Sequence, residues 1–223
     1  GIRDYKVTGV QTCALPISST DTGETEHRDL DWLDTVERFG SRSRGDIPCP
    51  VGGETVSGRC ANQLKSASQA FKNMAGPGGE AFAALDISNL TSLRSTFWGA
   101  AAFNEDIGGW DTADIENMGY MFREASSFNQ NLNGWVTDKV TDMQRMFYQA
   151  AAFDSPIGNW NTEKVGNMNR MFNGATSFNQ DISEWNTQLV TDMNSMFRNA
   201  AKFNQRISDW NTEKVEDMGF MFN

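Results

Sequence analysis

The sequence predicts an α/β fold: a right-handed solenoid with one short parallel strand and one helix in every 25-residue unit. Two observations lead there. Trp110, Trp135, Trp160, Trp185 and Trp210 recur every 25 residues without an insertion, and Phe97, Phe122, Phe147, Phe172, Phe197 and Phe222 keep the same step. A period of this length marks stacked supersecondary units, each too small to bury its own apolar face.

Each element then follows from local pattern. In Ile182-Ser183-Glu184-Trp185-Asn186-Thr187, the placing of apolar and polar positions predicts a short strand with Trp185 and Thr187 on one face. Val190, Met193, Met196, Phe197 and Ala200 follow at helical spacing and predict about three turns of amphipathic helix. Asn186 or Thr187 stands where a helix cap would offer a side-chain oxygen to first-turn amides. Asn104, Asn129, Asn179 and Asn204, with Asp154 in phase, fall at the turn into the next unit. A short polar side chain repeated there predicts a ladder that bonds the backbone of neighbouring units.

The consensus F-N-x-x-[IL]-x-x-W-x-T-x-x-[VI]-x-x-M-x-x-M-F-x-x-A closely resembles the BspA-like leucine-rich repeats of bacterial surface proteins. The resemblance covers about residues 82 to 223 and departs at Val136 after Trp135, at Pro156 and at Leu85 in place of a tryptophan. It implies an extracellular leucine-rich-repeat module for adhesion or protein binding, and implies no particular ligand.

Three stretches divide the chain. Val7 to Ile17 match the translation of a sequencing-library adapter, so residues 1–17 are set apart from fold reasoning as an artefact. Residues 18–81 form a polar leader. Leu30, Leu33, Val36 and Phe39 predict a helix over about 28–39, and Leu64, Ala67, Phe71 and Met74 another over about 61–75. The pair reads either as an N-terminal cap or as a stalk. Residues 82–223 are the array, which ends at Met221-Phe222-Asn223 on full consensus, as a truncated array would.

Composition bounds the function. The net charge is -10, which disfavours nucleic-acid and anionic-membrane partners, and a single histidine leaves little for acid–base or zinc chemistry. No apolar run reaches the roughly 18 residues of a membrane span. No catalytic, cofactor or metal residues are assigned: there is no nucleophile–base pair, phosphate loop or carboxylate dyad. Asp142, Asp192 and Asp217 lack the closely spaced oxygens of a calcium loop, and their place at a helix start accounts for them by the helix dipole. Cys49 and Cys60 are a candidate disulfide. Arg44-Gly45-Asp46 is an integrin-type tripeptide, and Asn89-Leu90-Thr91 a glycosylation acceptor whose Leu90 should face the core.

The candidate binding face comprises the variable positions flanking the tryptophans: Gly109, Asp111, Gly134, Val136, Asn159, Asn161, Glu184, Asn186, Asp209 and Asn211. In a period-two strand with tryptophan inward they point outward. The functional expectation is a non-enzymatic, surface-exposed or secreted module that binds an unknown protein or extracellular ligand. An intracellular scaffold, or an accessory to a catalytic domain outside this chain, are the alternatives.

Overall fold

The computed structural model describes residues 70–73, 82–83 and 85–222. Cys49, Cys60, the Arg44-Gly45-Asp46 tripeptide, the helix expected over 28–39 and most of that expected over 61–75 lie outside them. The 25-residue period is physical: Ser92, Asn117, Asp142, Asn167, Asp192 and Asp217 each form an isolated parallel bridge with the next in turn. Successive rungs therefore stack in register.

The elements within a rung are not those expected. The described residues contain no α-helix and no extended sheet, so the fold is not an α/β leucine-rich-repeat solenoid. Where the strand was expected, Trp185 and Val190 close two successive turns, with their amides donating to the carbonyls of Ile182 and Thr187. Trp185 and Thr187 do share the buried face, at 3% and 1% exposure, but side chains rather than a backbone ladder tie them to their neighbours. The bridge sits five residues past Thr187, at Asp192, inside the segment expected to be helical.

That segment is a chain of tight turns. Thr96, Trp98 and Ala100 each donate an amide to the carbonyl three residues back. The alternate amides, of Leu93, Ser95, Phe97 and Gly99, donate instead to the rung ahead, at Asn117, Gly119, Met121 and Arg123. A helix would spend every amide within its own segment. Here half of them knit one rung to the next.

The geometry needs left-handed residues at every fourth position. Tyr120 and Glu124 have φ of 60° and 63°, Arg145 and Gln149 52° and 57°, and Arg170 53°. Each costs a non-glycine residue about 1–2 kcal/mol. Each of these five residues also donates its amide to the next rung, a bond worth roughly 0.5–1.5 kcal/mol net. At Gly174, with φ of 76°, the residue type itself removes the penalty.

The core is a set of side-chain columns running through the stack. Tryptophan rings 110, 135, 160, 185 and 210 lie parallel with centroids 6.3–6.4 Å apart. Two phenylalanine columns run beside them. Within one rung the two are in tight contact, as with Phe147 and Phe153 at 3.8 Å. Phe147 also stacks on Phe172 in the next rung at 5.7 Å. Met143, Met146, Val140 and Ile157 fill the remaining space and are fully buried. Phe71 stacks on Phe97 at 5.3 Å and donates its amide to Thr96, so it heads the phenylalanine column. Residues 70–73 form a turn, which corrects that part of the expected helix.

Candidate functional site

Most polar side chains within a rung already have structural work. Each indole nitrogen of the tryptophan column donates to a carbonyl 28 residues back, as Trp160 does to Leu132 at 3.0 Å. The hydroxyls of Thr112, Thr137, Thr162 and Thr187 donate forward, as Thr162 does to the carbonyl of Asn186 at 2.9 Å. The expected asparagine ladder forms: the Oδ1 atoms of Asn104, Asn129, Asp154 and Asn179 accept the amides of Asn129, Asp154, Asn179 and Asn204 at 2.8–2.9 Å.

The carboxylates weighed for calcium are turn acceptors. Asp142, Asp192 and Asp217 take the amides of Gln144, Asn194 and Gly219, two residues on, at 2.8–3.0 Å. With no helix behind them, the Asx turn replaces the helix dipole as the reason for these residues. The amide of Gly219, with help from Asn194, holds the Asp217 carboxyl below its ordinary range. The Ser183 amide and hydroxyl do the same for Asp181. Lys139 is raised by its bond to Asp114. Among the described residues no group of three or more His, Cys, Asp or Glu could hold a metal. Asn89 is half-buried and Leu90 faces the core at 2% exposure.

All ten residues of the tryptophan-flanking stripe are exposed. Its chemistry is nevertheless modest. Asp111, Asn161, Asn186 and Asn211 each accept the amide two residues on, at 2.9–3.2 Å, and so cap turns of their own rung. The main-chain carbonyls of Val136, Asn161, Asn186 and Asn211 accept the threonine hydroxyls of the preceding rungs. Val136, 43% exposed, is the one large apolar side chain on this stripe.

A second surface was missed from sequence. Two outward columns of the turn chain bring together aromatic and cationic side chains. Lys72, Trp98, Arg123 and Tyr148 follow one another along one column: Lys72 and Arg123 lie 4.1 and 4.4 Å from the Trp98 ring, and Arg123 lies 5.2 Å from Tyr148. In the adjacent column Tyr120 is covered by Arg145 of the next rung at 5.3 Å and, from beside the column, by Arg94 at 4.5 Å, and Arg145 donates to its hydroxyl at 3.1 Å. Arg170 and Arg198 continue the same face. Of the six arginines from residue 85 onward, only Arg206 lies elsewhere.

Its ion pairs are unevenly distributed. Arg94 pairs with Asp142 at 3.3 Å and Arg123 with Glu124 at 2.8 Å. Arg145, Arg170 and Arg198 have no carboxylate partner among the described residues, and the Nε atoms of Arg145 and Arg198 are buried without an acceptor. The signal for this surface is present in the sequence as variable positions just before and just after the buried Met-Phe pair. Reading that segment as a helix dispersed them around a cylinder.

No helix of the described residues is long and apolar enough to cross a membrane. No curated protein and no solved structure matches the chain. A family model does match, over residues 65–167 and 153–223, and its description is Mycoplasma protein of unknown function, DUF285. This corrects the resemblance to BspA-like leucine-rich repeats, since no leucine-rich-repeat family was detected. The match begins at residue 65, ahead of the boundary expected at 82, and takes in the Phe71 turn that heads the phenylalanine column. Covering more than two-thirds of the sequence, it shows that the chain belongs to the DUF285 family.

Proposed function

We propose that the stack is a non-enzymatic protein-binding module, displayed at the cell surface or secreted. The observation that supports binding is the aromatic and arginine face built on Trp98, Tyr120 and Tyr148. Tyr, Trp and Arg are the residue types that dominate interface energetics; the two aromatics bury large areas with few rotamers to immobilise, and Arg adds a planar fork of hydrogen-bond donors. On this face the guanidinium planes are held against rings, so part of the ordering cost of binding is met before a partner arrives. The buried indole, threonine and asparagine groups are spent on stacking the rungs. What differs from rung to rung is therefore surface chemistry on a constant frame.

The test is partner capture from the source cell's exterior and interior fractions by the full chain and two double variants. Tyr120→Ala with Tyr148→Ala should lose a saturable partner, whereas Asn161→Ala with Asn186→Ala on the tryptophan-flanking stripe should keep it. Circular dichroism and thermal unfolding establish that both variants keep their fold. A partner from the interior fraction alone would replace the extracellular placement with an intracellular scaffold. No saturable partner in either fraction would overturn the binding reading.

A further inference from the structure

We propose that Arg145, Arg170 and Arg198 form the docking site for an acidic, extended segment of a partner protein. This rests on the binding-module reading and names the chemistry of the partner.

The chain carries a net charge of -10, yet five of the six arginines from residue 85 onward lie on one face. Two of the five are neutralised within the molecule, Arg94 by Asp142 and Arg123 by Glu124. The three that are not neutralised lie together at one end of the face. Arg145 and Arg170 occupy the same column one rung apart, a distance of roughly 4.8 Å for parallel strands. Like charges directly opposite one another are destabilising, and nothing in the stacking pattern demands them: Tyr120, Ser195 and Phe220 hold the same column in other rungs.

The guanidinium groups are also pre-positioned. Arg145 lies over Tyr120 and Arg198 over Phe220, at 5.3 and 5.6 Å. Their Nε atoms are buried without an acceptor. The buried Nε lies out of a partner's reach, so a docking carboxylate would pair with the Nη groups at the end of each guanidinium. Bidentate pairing of guanidinium with carboxylate suits such fixed planes.

A peptide fits better than a nucleic acid. Asp142, Asp192 and Glu124 are interspersed with the arginines, and a continuous phosphate backbone would be repelled by them as well as by the net charge. Discrete carboxylates separated by neutral residues can meet the arginines and pass the acids. Same-face side chains of an extended chain repeat at about 6.7 Å, within reach of long arginine stems on adjacent rungs.

The experiment measures fluorescence anisotropy of a fluorescein-labelled alternating Glu-Ala decapeptide against the full chain, at low and high salt. The expected result is saturable, salt-weakened binding that falls at least about tenfold in the triple variant Arg145→Gln, Arg170→Gln, Arg198→Gln. Arg206→Gln, which removes a cation outside this face, should leave it unchanged. Thermal unfolding establishes that the triple variant is folded.

Absence of saturable binding, equal loss in Arg206→Gln, or equal or tighter binding of a labelled oligothymidine would each overturn the proposal. If the peptide fails while partner capture still depends on Tyr120 and Tyr148, the acidic-segment assignment falls and the binding module stands. If both fail, the module reading falls with it.

Discussion

The indole nitrogen of Trp160 donates to the main-chain carbonyl of Leu132 at 3.0 Å, while its ring lies parallel to that of Trp135 at 6.3 Å. One side chain thus supplies both the apolar column and a hydrogen bond to the preceding rung. Trp160→Phe should keep much of the column but leave the Leu132 carbonyl unpaired, costing about 1–3 kcal/mol. Trp160→Ala should cost more, about 3–5 kcal/mol, because a cavity is added. Denaturant unfolding of the two variants checks the order: an unchanged Trp160→Phe would mean that the hydrogen bond contributes nothing, and equal losses that the ring's packing adds nothing.

The asparagine ladder tolerates a carboxylate. Asp154 accepts the Asn179 amide at 2.8 Å, the same distance at which Asn129 accepts the Asp154 amide. Asn129→Asp should therefore be nearly neutral. Asn129→Ala should cost about 1–3 kcal/mol, since the Asp154 amide loses its acceptor while the Ser155 hydroxyl keeps only the main-chain carbonyl of Asn129. Thermal melts of both variants distinguish a ladder from a surface polar residue, for which the two changes would be equivalent.

Gln149 is exposed and has φ of 57°, so its side chain is held in a conformation that glycine adopts freely. Gln149→Gly should stabilise the protein by about 1 kcal/mol through relief of that strain. The converse change at Gly174, with φ of 76°, should destabilise. A Cβ there would lie 3.1 Å from the Cγ of Gln149 in the rung below. Unfolding midpoints that move in the same direction for both changes would contradict the strained-turn account.

Acid should weaken the stack through its Asx turns. The folded carboxyls of Asp181 and Asp217 lie below the ordinary value of 3.8, chiefly because backbone amides bond the charged form. Their contribution is therefore complete above that value and is lost as pH falls through the lower, folded value. Asn131 and Asn167 make the same turns with a neutral amide, accepting Asn133 and Asn169 at 2.9 Å. Asp181→Asn with Asp217→Asn should leave stability near neutral pH little changed and flatten its decline in acid. Melting temperature against pH for the variant and the parent checks this, and identical slopes would refute it.

How far the sequence could be read depends on which contacts leave a periodic mark. Tryptophans in register, the buried Met-Phe pair and the asparagine at each rung junction announce the repeat, its core and its polar ladder without any coordinates. Trp185 and Thr187 share one buried face, as their spacing predicts, since alternation over three residues is the same in a strand and in a turn-linked extended segment. The ten tryptophan-flanking positions follow from that alternation, and all are exposed.

The helix was the error, and its cause is specific. Met193, Met196, Phe197 and Ala200 fall at steps that describe one face of a helix. They equally describe a chain of turns with residues alternately two in and two out, as the buried pair Met196-Phe197 and the outward Arg198-Asn199 show. The two readings differ in where the amides go. In this protein alternate amides reach carbonyls 24 residues ahead, and that partner is invisible to any local window.

The sequence by itself determined the repeat length, the buried columns and the polar ladder, because these depend on residue types recurring at a constant interval. The tertiary structure decided the backbone path and the arrangement of the arginine face. Bonds between rungs hold Arg145 and Arg170 at positive φ, and only that turn path brings them beside Tyr120 and Arg198 on one surface.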